Sequence, residues 1–300
     1  MWHPFSLLFK CMLIASILIC AIGLPQQLHD DFPGFGAPPK NHEEQTTRGP
    51  KRKEEFLDLN DSNICGIPSN RLGTFSINGT FQTHIGGNPW TTAIYTDGRY
   101  IAVGTLIRYD VVLTAADPIA NITRDQLTVE AGDWDRLGAV EKYSHLSRSV
   151  RSIAIHEKLA LIILEAPFYS PHISPICVPY PDTVFTEYAC RTTGWRIPSV
   201  NSSSDDQSDI MWFRNYAVMT HDDCIAELPQ GLNMDTNVLC GADLFNEFTP
   251  HNPGGGLYCA GQRSVLAGVA LSSRGWEPNN QPVLFAKLSN YLDWIMKELP

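Results

Sequence analysis

Positive charge is scarce in this chain. Lys and Arg number 22 against 32 Asp and Glu, a formal net charge of −10 over 300 residues. A protein that wraps nucleic acid needs a basic face to neutralise phosphates, so no nucleic-acid partner is expected. Long apolar runs are absent too. The run Cys11 to Gly23 falls short of the roughly 20 residues that cross a bilayer, and no later stretch reads as a membrane span. Nothing recurs at a period of roughly 20–50 residues, which removes solenoids and propellers. There is no Cys-x-x-Cys, and no histidine pair flanks a glutamate base, so no zinc site is argued. Neither metal nor cofactor is implied. Charged residues make up 18% and hydrophobic residues 43%, which supports a packed core and argues against a mostly disordered chain.

What is present first fixes the compartment. Residues 1–23 carry Lys10 and no acid, and Ala21-Ile22-Gly23 places small residues where a signal peptidase reads. The segment reads as a cleaved secretory signal, and the product as secreted and extracellular. Cys11 and Cys20 leave with it. Cys65, Cys177, Cys190, Cys224, Cys240 and Cys259 remain, and an even number in an oxidising compartment predicts three disulfides. Four sequons agree with secretion, at Asn60, Asn78, Asn121 and Asn201.

Residues 24–64 are rich in Pro, Gly and charge and read as a disordered or extended leader. Within it, Arg48-Gly49-Pro50-Lys51-Arg52-Lys53 is a solvated linker or a site for a protease that cuts after paired basic residues; whether the chain is cut near Lys51-Arg52 stays open. From Cys65 to residue 300 the texture changes. Short, often β-branched runs recur: Thr91 to Tyr95, Tyr100 to Ile107, Val111 to Ala115, Gln126 to Ala131, Val150 to Ile155, Leu159 to Leu164, Met211 to Met219, Val265 to Leu271 and Pro282 to Leu288. With Gly 22 and Pro 21 supplying turns, this spacing predicts an antiparallel all-β domain. The end differs: Tyr291, Leu292, Ile295 and Leu299 stand at helical spacing, with Ser289 as the expected cap.

Six strings occur in order: Pro89-Trp90-Thr91-Thr92-Ala93-Ile94-Tyr95, Val111-Val112-Leu113-Thr114-Ala115-Ala116, Pro175-Ile176-Cys177-Val178-Pro179, Thr193-Gly194-Trp195, Gly254-Gly255-Gly256-Leu257-Tyr258-Cys259 and Tyr291-Leu292-Asp293-Trp294-Ile295. Together they resemble the trypsin/chymotrypsin-like serine proteases, from about Cys65 onward. The resemblance implies two six-stranded Greek-key β-barrels followed by a C-terminal α-helix.

The resemblance also implies a catalytic triad, in which a histidine takes the serine proton and a buried aspartate orients the imidazole. The matching positions hold Asp117, Lys158 and Pro253. A carboxylate is a far weaker base than imidazole, a lysine inverts the charge meant to stabilise an imidazolium, and proline has no hydroxyl. The oxyanion-hole positions are His251 and Pro253, and proline has no N–H to offer; losing one such donor costs roughly a hundred- to thousandfold in rate. The activation cut falls between Ser76 and Ile77, where no basic residue stands, and Asn252 replaces the aspartate that would pair with the freed amino terminus. An ion pair between Asp117 and Lys158 is expected in place of the histidine–aspartate contact.

The cysteines agree with this alignment. The family's histidine-loop disulfide falls on Val103 and Pro118, and its pocket disulfide on Thr249 and Trp276, so both members of each pair are absent. The six retained cysteines correspond to the family pairs Cys65–Cys177, Cys190–Cys259 and Cys224–Cys240. Asp133, Asp135 and Glu141 fall in a loop where some members hold calcium and read here as a solvated acidic turn. Glu247 reads as an exposed loop acid.

The expected product is a secreted pseudoprotease, not an enzyme, that acts by binding protein. Its partner is a protein, with an active secreted protease as the candidate. Inactive homologues of this kind are common among insect secreted proteins, as cofactors in immune proteolytic cascades or in reproductive fluids. Residues 24–63 contain no cysteine, so the six-cysteine clip module of many immune cofactors is missing there. Two other readings stay open: a serine-type endopeptidase using unlike residues, and an adhesion or carrier protein on the same scaffold.

Overall fold

A computed structural model describes residues 59–61, 64–68, 82–136, 143–185, 189–195, 209–228, 234–244, 253–271 and 282–300. Twelve strands dominate these residues. The first six are β1 Thr91–Thr96, β2 Arg99–Arg108, β3 Val111–Ala115, β4 Leu127–Ala131, β5 Leu146–His156 and β6 Leu159–Leu164. The second six are β7 Ala189–Gly194, β8 Trp212–Val218, β9 Val238–Asp243, β10 Gly256–Cys259, β11 Val265–Ala270 and β12 Val283–Lys287. Each set closes into an antiparallel barrel, in the order β1-β2-β3-β6-β5-β4 and, equivalently, β7-β8-β9-β12-β11-β10. In both, the fourth strand returns to lie beside the first, which is the Greek-key connection. The expected all-β architecture of two six-stranded barrels is the one observed.

Local chemistry explains the connections. Asp97-Gly98 joins β1 to β2 with φ of 48° and 75°, the primed two-residue turn whose twist matches the flanking strands. β4 alternates buried Leu127, Val129 and Ala131 with partly exposed Thr128 and Glu130, one face inward. β6 is buried throughout. Its residues join one core cluster with Leu266, Val269, Leu288, Leu292 and Ile295. Leu59, inside the segment read as leader, is 1% exposed and belongs to the same cluster.

Three disulfides form, Cys65–Cys177, Cys190–Cys259 and Cys224–Cys240, matching the pairs the resemblance implied. The first ties residues 64–68 to the body, where Gly66 donates to the Pro175 carbonyl and accepts from the Ser264 N–H, both at 2.9 Å.

The helices correct two expectations. Leu288–Asn290 is a 3₁₀ turn, and helix α2 spans Leu292–Glu298 behind it, with Tyr291 at its N-cap. Ser289 is therefore not the cap; it is buried in the 3₁₀ turn. Helix α1, His221–Glu227, was not anticipated. Its signal is local: Thr220 caps it by accepting from the Asp223 N–H, and the Thr220 hydroxyl donates to the Asp223 carboxylate. This exchange resembles a capping box with aspartate in the glutamate position.

Candidate functional site

The residues matched to the triad come from three separate turns. β3 runs Val111 to Ala115 in register with β6, Ala115 opposite Leu159. One residue later, the Ala116 N–H donates to the Lys158 carbonyl at 2.9 Å. This bond sets Asp117, the first residue of a 3₁₀ turn through Ile119, beside the β5–β6 turn that carries Lys158. Pro253 reaches the same edge from the second barrel. Its carbonyl accepts from the Val103 N–H at 3.1 Å, and the Val103 carbonyl accepts from the Thr114 hydroxyl at 2.7 Å. The Gly254 N–H then returns to the Ala270 carbonyl at 2.9 Å. The backbone thus gathers Asp117, Lys158 and Pro253 around the end of β3.

The expected ion pair is not there. Asp117 and Lys158 are both exposed, and among the described residues neither side chain enters an ion pair. The reason is the shortened turn. His156 pairs with Leu159, leaving Glu157 and Lys158 as the two central turn residues, with Glu157 at a φ of 52°. Such a tip holds its side chains in solvent. Glu157, not Lys158, is used for anchoring: its carboxylate accepts from the Tyr291 hydroxyl at 2.9 Å. Burial pushes the Tyr291 phenol up, and the bond to Glu157 adds to the shift. His156 stacks on Trp294 at 5.3 Å, so the hairpin tip latches onto α2.

Several proposed residues, namely Ser76, Ile77, His251, Asn252, Asn78, Asn201, Glu141, Glu247, Thr249 and Trp276, lie outside the described residues. Asp133 is described and corrects an expectation: it is 5% exposed, not part of a solvated turn.

Asp133 belongs to a small cleft lined by His84, Asn88, Asp133, Trp134, Tyr143 and His172 among others. Asp117, Lys158 and Pro253 do not line it. His172 is 4% exposed; its Nδ1 meets the Ser170 hydroxyl at 2.8 Å, its ring stacks on Tyr143, and its Nε2 is buried without a partner. Apart from Ser170, the surroundings of this histidine come from distant loops, so little in the local sequence marks it. Burial pushes its pKa below the ordinary histidine value. The unfolded chain therefore takes up the proton first as pH falls, and stability present above about 6.5 is lost from that pH downward. Urea unfolding at pH 7.5 and pH 5 should show His172→Phe losing less stability on acidification than the parent chain. An equal loss would remove His172 as the cause.

The barrels, the Cys190–Cys259 staple across β7 and β10, and the convergence of three turns at the end of β3 are the arrangement of one fold family, and sequence comparison decides it: the family described as Trypsin matches residues 77–295. The chain belongs to the trypsin family. Among its relatives, the inactive CLIP domain-containing serine protease A8 of Anopheles gambiae is 27% identical over 77% of this chain and 70% of its own length. Serine proteinase stubble of Drosophila melanogaster is 23% identical over 78% of this chain, but the match covers only 32% of that protein. Snake venom serine protease 2B of Craspedocephalus gramineus is 29% identical over 67% of this chain and 78% of its own length. The trypsin-family scaffold is therefore shared by a relative named inactive and by relatives named as proteases. Among the described residues, no helix is long and apolar enough to cross a membrane.

Proposed function

We propose that this chain is a secreted, non-catalytic member of the trypsin family that acts by binding protein, as a cofactor or regulator of an extracellular proteolytic cascade or of reproductive-fluid proteins. The observation that carries the reading is the set of side chains at the end of β3. Asp117, Lys158 and Pro253 supply neither a general base of suitable strength nor a hydroxyl nucleophile. The relative from Anopheles gambiae named as inactive supports it. The test is direct. The purified protein should not react with a fluorophosphonate probe or cleave a panel of chromogenic peptides, yet should change the rate of an active trypsin-family protease added to it. Serine-dependent labelling would overturn the non-catalytic reading. No effect on any protease tested would overturn the regulatory one.

Restoring the triad should not restore the activity. In a triple variant Asp117→His, Lys158→Asp, Pro253→Ser, the new aspartate would sit in the exposed turn after Glu157, where water competes for its hydrogen bonds and nothing fixes it against the imidazole. Misplacement by about 1 Å can cost on the order of a hundredfold. Asn252 and Ser76 would also leave the activation ion pair unmade. The expected result is no turnover above background in the peptide panel, with an active-site titrant as control. Turnover like that of an ordinary family protease would show that only the triad had changed.

A further inference from the structure

The asparagines of two of the four sequons, Asn60 and Asn121, lie within the described residues, and they stand in opposite environments. Asn121 is exposed. It follows the 3₁₀ turn that begins at Asp117: the Ala120 N–H closes back on the Asp117 carbonyl at 3.5 Å, and the Ile122 N–H on the Ile119 carbonyl at 3.0 Å. At about 2 Å of rise per residue, the path from Asp117 to Asn121 is roughly 8 Å. Ile122 packs against the core, while Asn121 and Thr123 on either side of it are exposed. The acceptor Asn121 and the hydroxyl-bearing Thr123 are thus displayed beside the edge where Asp117, Lys158 and Pro253 converge. At Asn60 the side-chain nitrogen is buried. The preceding Leu59 is in the core, the Asp61 carbonyl accepts from both Ile64 and Cys65 N–H groups, and Cys65 is tied to Cys177. A glycan is attached through that nitrogen and is bulky and hydrated, so this packing has no room for one.

We propose that Asn121 carries an N-linked glycan that covers the Asp117–Lys158–Pro253 edge, and that Asn60 stays bare in the folded chain. The inference rests on the reading that the chain is secreted, and it sharpens the binding role. A hydrated oligosaccharide beside Asp117 excludes macromolecules from this edge, so a protein partner docks on another surface of the barrels.

The test uses the full chain secreted from cultured eukaryotic cells. Glycopeptide mapping should find Asn121 occupied and Asn60 unmodified. The covering is read separately, by the rate at which a bulky polyethylene-glycol maleimide labels an Asp117→Cys variant under non-reducing conditions. Adding Asn121→Gln should speed that labelling severalfold. This change removes the glycan acceptor but keeps Thr123, whose hydroxyl and N–H both contact the Gln126 side chain to hold the following turn. Thr123→Ala would disturb that turn and is the poorer choice. Asn121 bare while another sequon is occupied, or Asn60 occupied in folded protein, would overturn the assignment. Equal labelling rates with and without the glycan would overturn the covering. A chain retained in the cell with every sequon bare would overturn the secretion reading beneath both.

Discussion

Asp209→Ala is expected to destabilise the protein by about 3–5 kcal/mol, because it breaks a largely buried, hydrogen-bonded ion pair. Arg136 is 7% exposed and Asp209 17%, and the Arg136 Nε donates to Asp209 Oδ2 at 2.7 Å. Backbone bonds hold the two segments in place, Arg136 N–H to the Asp209 carbonyl at 3.3 Å and Met211 N–H to the Trp134 carbonyl at 2.7 Å. The same guanidinium lies 3.8 Å above the Tyr100 ring, with Trp195 at 5.6 Å. Burial pushes the Asp209 carboxyl up and the Arg136 charge pulls it back; burial also pushes Tyr95 up to about 12, again with Arg136 opposing. The arginine therefore sits among phenols and carboxylates, with Asp209 as its hydrogen-bonded counter-charge. Removing the carboxylate takes away a hydrogen-bonded counter-charge, and a cation over an aromatic face recovers only about 2 kcal/mol when desolvated. At about 2–4 °C per kcal/mol, thermal unfolding should move down by roughly 6–20 °C. The control is Arg151→Ala, which breaks a pair with Glu165 at 3.8 Å whose side chains are 50% and 55% exposed; such a pair contributes about 1 kcal/mol or less. A loss at Asp209 no larger than at Arg151 would show that water reaches Arg136.

That ion pair also marks where the sequence stops being informative. The strands with alternating or continuous apolar runs were legible, and so were the C-terminal helix and the disulfide pairs, because each follows from a local pattern or from an ordered string. β7, β9 and β10 were missed as apolar runs. Ala189-Cys190-Arg191-Thr192-Thr193-Gly194 and Val238-Leu239-Cys240-Gly241-Ala242-Asp243 mix cysteine, glycine and polar residues, and their strand character comes from their neighbours in a closed barrel. Arg136 and Asp209 are 73 residues apart, and no spacing rule connects them. Asp117, Lys158 and Pro253 are read from the strings they abut, and backbone bonds bring the three to the end of β3. The geometry of their side chains was not legible. The expected Asp117–Lys158 pair failed because a two-residue turn at Glu157–Lys158 exposes both partners, and the backbone sign of Glu157 is not written in its side chain. The latch of Glu157 and His156 onto Tyr291 and Trp294 joins residues over a hundred positions apart and left no local trace either.

Gly254→Ala should cost about 2–5 kcal/mol and should weaken the junction between the barrels. Gly254 has a φ of 84°, a conformation that costs a residue with a Cβ roughly 1–2 kcal/mol. The added methyl would also collide with the Thr114 hydroxyl and the Val103 carbonyl, an overpacking worth about 1–3 kcal/mol more. The obstacle is backbone. Val103 lies within β2, paired with Ala93 of β1, its N–H donates to the Pro253 carbonyl, and its carbonyl receives the Thr114 hydroxyl. Any retreat of the glycine would break the Gly254 N–H bond to the Ala270 carbonyl in β11, so the strain cannot be shed to one side. Gly98→Ala separates the two contributions: Gly98 has a φ of 75°, yet a Cβ there meets nothing within 4 Å. That variant should show the conformational cost alone, about 1–2 kcal/mol. In Gly254→Ala/Thr114→Ala, the collision with the hydroxyl is gone but the one with the Val103 carbonyl stays, so recovery should be partial at best. Urea midpoints of the four proteins decide the matter, and a Gly254→Ala loss equal to that of Gly98→Ala would mean that β2 yields and that Pro253 is not held against it.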